Sequence, residues 1–106
     1  MDKKLKKQWI AALTSGDYEQ GQGKLCSQYY HCCLGVLCEV VRNENKRLIK
    51  THKGHFNFNN VDMKEVLTTD MLNFVQLTDT EQKVLVDMND SRYTFKDIAH
   101  YIEENL

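Results

Sequence analysis

The chain has no proline among its 106 residues, against a usual share of about 5%. Helices can therefore run unbroken, and no turn is fixed by a pyrrolidine ring. Nor is there an apolar run near the ~20 residues that a membrane span requires. The charged start, Met1-Asp2-Lys3-Lys4-Leu5-Lys6-Lys7, has no apolar stretch behind it, so it does not read as a secretory signal. The expectation is a protein of the cytosol. Thiols stay reduced there, and the four cysteines then imply no disulfide framework. Also missing are a phosphate-cradling glycine pattern after a strand, calcium-loop spacing among the acids and any C-x-x-C pair. At this length a single domain over residues 1–106 is expected.

The net charge of −1 argues against general nucleic-acid binding, but the charge is unevenly placed. Residues 1–53 hold ten Lys/Arg and five Asp/Glu, while residues 54–106 hold four and ten. Such polarity either draws the two halves together or offers an acidic face to a basic partner. Exposed pairs are weak, so the first reading is the simpler one.

Periodicity supplies the elements. Leu5, Trp9, Ala12 and Leu13 share one stripe of a helix over Lys3 to Ser15, which Gly16 stops. Gly21 to Cys26 and Tyr29 to His31 suit a short hairpin turned at Ser27-Gln28. From Cys33 to Arg42 only Gly35, Glu39 and Arg42 break an apolar run. They fall at i, i+4 and i+7, so a helix sets them on one strip and buries everything else. A second hairpin is expected over 47–58, with Leu48, Ile49, Phe56 and Phe58 on its core side. Asn60 is placed to cap a helix from Val61 to Leu67, and Thr69 another from Asp70 to Val75. Thr78 and Glu81 form a capping box before Val84, Leu85 and Met88. Thr94 can cap a last helix to about Asn105, with Tyr93 and Ile98 as its staple. The expected fold is α+β and mainly helical, with four to six helices and one or two short β-hairpins.

The stretch "YYHCCLGVLCEVV" (29–41) holds three of the four cysteines beside His31. Cys26, His31, Cys32, Cys33 and Cys38 could be considered as zinc ligands, with His52 and His55 as a second pair. On a helix, however, Cys32, Cys33 and Cys38 project about 100° to 140° apart, at ~100° per residue. They cannot converge on one ion unless the start at His31-Cys32 is non-helical. A redox couple needs a spaced pair that is absent, and no local signature marks a cysteine nucleophile. Free cysteine packs as a small hydrophobe, so these are read as core thiols, with no metal or other cofactor. Mid-helix Gly35 implies close backbone approach, the last helix around Ala99 being the expected neighbour. Alanine should then be tolerated at position 35, and leucine not.

The C-terminal segment "LTDTEQKVLVDMNDSRYTFKDIAHYI" (77–102) has the rhythm of a helix-turn-helix. Its last helix carries Asp97, Glu103 and Glu104, whereas a DNA-reading helix is electropositive. An αα-hairpin that closes the core is the better account, and no direct DNA reading is expected.

Trp9 with "LTSGDYEQGQGKL" (13–25), then "CCLGVLC" (32–38), then Met88-Asn89-Asp90 with "FKDIA" (95–99) and Ile102-Glu103 resemble a family of small uncharacterised accessory proteins of tailed phages and prophages. The resemblance spans the first forty residues and about the last twenty, not the middle at about 43 to 77. It supplies no catalytic residues to carry over. What it implies is a setting: such proteins often act on host machinery or host defence by stoichiometric binding.

The leading expectation is thus a non-enzymatic, phage-encoded inhibitor in the host cytoplasm. It would bind a host defence or regulatory protein, a CRISPR-type nuclease complex among the candidates. If it masks a nucleic-acid channel, Asp79, Glu81, Asp87, Asp90, Glu103 and Glu104 would face the basic surface. The alternative is a sponge for a nucleotide second messenger. Tyr29 and Tyr30 would stack there, and Lys24 with Arg42 or Arg92 would hold phosphate.

Overall fold

The computed structural model describes residues 1–106. Five helices and three short strands follow one another: α1 (Lys3–Thr14), α2 (Cys33–Glu44), β1 (Leu48–Lys50), β2 (Phe56–Phe58), β3 (Val61–Met63), α3 (Thr69–Val75), α4 (Asp79–Asp90) and α5 (Phe95–Asn105). The fold is α+β and mainly helical, as the periodicity implied. All eight elements contribute to one core of 25 buried residues, so the hydrophobic driving force is shared across the chain rather than split between units.

Helix α2 is the axis. Cys33, Leu34, Val36, Leu37 and Cys38 have no exposed surface, and α1, α4 and β1 pack around them. Trp9 of α1 is equally buried, and its indole N–H donates to the Cys33 carbonyl at 2.9 Å. That bond satisfies the one polar group of a large apolar ring. Helix ends follow local chemistry. Thr68 (rather than the expected Thr69, which is already helical), Thr78 and Thr94 each cap a helix through their side chains, and Thr78/Glu81 and Thr94/Asp97 complete capping boxes. Gly16, expected to stop α1, sits just past its end at φ +82°, a conformation open to glycine at little cost.

The sheet is antiparallel in the order β1-β2-β3, with Leu48 opposite Phe58 and Phe58 opposite Val61. The hairpin expected over 47–58 is present, but Ile49 points out and is exposed. The helix expected from Val61 does not form. Asn59 and Asn60 both take positive φ, 52° and 68°, the pair of conformations that a two-residue type I′ hairpin turn requires. Asn60 thus turns β2 into β3 rather than capping a helix. Between α1 and α2 no strand hairpin forms either. Isolated bridges join His31 to Gln20 and to Cys26.

Two further expectations fail for one reason, that polar side chains face inward here. Gly35 and Glu39 are buried instead of forming an outward strip with Arg42. On α4 Leu85 is in the core as expected, but Gln82 and Asn89 are buried beside it while Val84 and Met88 are only half-buried. The neighbour of Gly35 is the Leu25 carbonyl rather than Ala99. Tyr93, expected to staple Ile98, is 50% exposed.

Candidate functional site

The densest group of ionisable side chains centres on Glu39. Its Oε2 accepts from His31 Nε2 and from Lys50 Nζ, each at 2.7 Å, and its Oε1 accepts from Arg42 Nε at 2.9 Å. A carboxylate only accepts, so His31 carries its proton on Nε2. Chain geometry explains the meeting. Arg42 lies one turn further along α2. Lys50 ends β1 on the same sheet face as Leu48, which points at the core. His31 is fixed by its backbone, whose N–H donates to the Glu19 carbonyl while its own carbonyl accepts from Gly21. Tyr18 meets the imidazole edge-on at 4.9 Å between centroids.

Burial opposes a charge on Glu39, but the hydrogen bonds from His31, Lys50 and Arg42 outweigh it and hold the carboxyl at about 2. Burial and then the Glu39 charge raise the Tyr18 hydroxyl. A carboxylate that acidic and that fully engaged is a poor proton acceptor near neutrality. Its work here is to tie the His31 loop, α2 and β1 together.

The cysteines lie in the core. All four are free and buried, and burial raises each thiol, Cys32 to about 11. Cys26 donates to the Gly54 carbonyl at 3.0 Å. No three His, Cys, Asp or Glu side chains are arranged to hold a metal ion. His31, the histidine nearest the cysteines in sequence, is engaged by Glu39.

The sequence-proposed acids divide. Asp79, Asp87 and Asp90 are exposed on α4 and lie within about 80° of arc, at ~100° per residue. Asp79 pairs with Lys83 at 3.1 Å, whereas Asp87 and Asp90 make no ion pair. Glu81 is committed to the capping box. Glu103 and Glu104 are exposed on α5, and Glu104 lines a different groove with Tyr93 and His100. Asp79, Asp87 and Asp90 thus share one face of α4, and Glu81 does not.

The nucleotide set is not gathered. Arg42 is held on Glu39, Tyr29 is 78% exposed, and the Tyr30 ring lies over Gly21. Lys24 lines a groove beside Asp90, and Arg92 sits in an exposed turn after α4. Sequence reading missed Gln20, Gln82 and Asn89 as organising residues. Gln82 and Asn89 had a signal: with Leu85 they fall at i, i+3 and i+7, the spacing of a buried face.

These features define a small α+β domain with a thiol-rich core, one saturated carboxylate knot and an acidic helix face. The chain belongs to a family described as a domain of unknown function (DUF8296), whose model matches residues 1–70. That span holds the whole Glu39 knot, and α4 and α5 lie beyond it. No curated protein and no solved structure matches the chain.

Proposed function

We propose that this chain is a non-enzymatic, phage-encoded protein that inhibits a host defence or regulatory system, CRISPR-type systems included, by stoichiometric binding. The setting rests on the resemblance carried by residues 13–25, 32–38 and 88–103. The mode rests on one observation: Asp87 and Asp90 stand exposed and unpaired along α4, in a chain whose buried side-chain N and O atoms all have partners. Uncompensated carboxylates on a rigid helix steer and orient a basic surface. No helix is long and apolar enough to cross a membrane, and the host cytoplasm is the proposed place of action.

Affinity capture from infected host cells tests the reading. The wild-type chain should retain a host protein in fixed stoichiometry, and binding should weaken steeply as salt rises to several hundred millimolar. Replacing Asp87 and Asp90 together by lysine should abolish retention. Retention that is indifferent to both salt and this substitution would remove the acidic mode. A thermal shift of several degrees with cyclic nucleotides would favour the sponge instead.

A further inference from the structure

Val66 precedes α3 and is 49% exposed, although it is apolar and large. Together with the half-buried Val86 of α4 it lines two neighbouring grooves, of about 200 and 220 Å3. Val66 and Val86 are the two residues that both hollows share. One hollow is floored by Cys32, Cys33 and Asn89, and the other reaches Gln82.

The floors are already satisfied. Gln82 accepts from the Leu67 N–H at 2.7 Å and donates to the Leu67 carbonyl at 3.5 Å. Asn89 accepts from Gln20 and the Cys33 N–H and donates to the Gly21 carbonyl. No buried side-chain polar atom is left to recognise a polar small molecule. What the hollows offer is apolar contact on a braced floor. The rim is different: Glu65, Asp87 and Asp90 make no ion pair, against Lys24 as the one unpaired cation, and Asp79 and Lys83 neutralise each other.

We infer that this surface docks a cationic amphipathic segment of a protein partner, with apolar side chains against Val66 and Val86 and Lys or Arg on the acidic rim. The inference deepens the binding reading above and rests on it. An apolar centre with a charged rim is the anatomy of a protein interface, and a basic helix laid in a groove is a common mode of peptide recognition. The rim repels nucleic acid. A second copy of this chain does not supply the segment through its own basic helix, because the apolar stripe of α1, Trp9 and Leu13, is buried.

Fluorescence anisotropy with three synthetic peptides tests this on the full chain. The first carries leucine and lysine at helical spacing, the second leucine and glutamate, and the third lysine alone. The leucine–lysine peptide should bind at least about tenfold tighter than either control. Val66→Ser should weaken it roughly tenfold, and so, independently, should Asp87→Lys with Asp90→Lys. All these positions are exposed, so the variants should keep the wild-type circular dichroism and melting profile. Equal binding of the lysine-only peptide would reduce the effect to charge and overturn the proposal. So would variants that bind like wild type, or wild-type self-association lost in Val66→Ser. Host capture judges the parent reading separately. A captured protein still retained by Val66→Ser sinks the docking surface alone, whereas no captured protein at all sinks the parent reading and leaves the peptide titration standing.

Discussion

A Cβ placed on Gly35 would stand 1.7 Å from the carbonyl oxygen of Leu25. That oxygen is not free to move. It accepts from the Cys32 N–H at 3.0 Å, and the Leu25 N–H donates to the Lys64 carbonyl at 2.8 Å. The bend at Leu25 is thus clamped on the first turn of α2, and only a residue without a side chain fits beneath it. Helix propensity alone would make alanine the better residue, by roughly 1 kcal/mol. Overpacking against clamped backbone reverses the sign.

Gly35→Ala should therefore destabilise by about 3 kcal/mol, at the upper end of the usual overpacking cost. Urea unfolding at neutral pH checks this. Stability equal to or above wild type would mean that the Leu25 segment yields. Gly35→Leu should not fold at all.

Glu39 gives the pH dependence. Its folded value of about 2 lies below its ordinary 4.5, so it contributes stability that is complete above pH 4.5 and lost as pH falls toward 2. Glu39→Gln should flatten the stability profile in that window. At neutral pH it should cost about 2 kcal/mol, less than the 3–5 of a fully buried pair. Arg42 and Lys50 keep 40% and 29% of their side-chain surface in water, where solvent replaces part of what the carboxylate supplied. Unchanged acid denaturation in the variant would show that other carboxylates govern that limb.

The helices were legible because their signals are local. Thr78-Asp79-Thr80-Glu81 closes its capping box with residues three apart, whatever lies around it. Asn60 was ambiguous for the same reason. Asparagine suits both a helix N-cap and a positive φ, and the pairing of Val61–Met63 with β2 decided between them. Glu39 could not be read from periodicity, which assigns a charge to the wet face. Its partners His31 and Lys50 lie eight and eleven residues away and arrive through a loop and a strand. The acidic strip was visible in composition, but its apolar centre, Val66 with Val86, comes together only in the fold.

The thiols offer a kinetic check. Burial raises all four, and the thiolate is the reactive form. A disulfide reagent at pH 8 should label the native chain at least about a hundredfold more slowly than the urea-unfolded chain, where the ordinary value near 8.5 returns. All four should then react together on unfolding. One thiol that reacts rapidly in the native state would place that cysteine at the surface and reopen its chemistry.

Asn89 carries the last prediction, because its one buried amide makes three hydrogen bonds. Its Oδ1 accepts from the Cys33 N–H at 3.2 Å and from Gln20 Nε2 at 3.1 Å, and its Nδ2 donates to the Gly21 carbonyl at 2.8 Å. The residue is 1% exposed, so water does not readily replace a lost partner. Asn89→Ala leaves an N–H at the start of α2 and the Gly21 carbonyl without their bonds, at about 1–3 kcal/mol each. A loss of about 3 kcal/mol in denaturant unfolding is expected. Asn89→Asp keeps the acceptor but turns a second oxygen toward the Gly21 carbonyl. Burial and the facing oxygen raise that carboxyl, so part of the loss should be recovered as pH falls from neutrality, with the recovery complete by about pH 4, as the protonated group donates again. An alanine variant as stable as wild type would mean that the 20–33 segment holds its course without α4. A deficit in the aspartate variant that ignores pH would remove the donor at Nδ2 as the reason for asparagine.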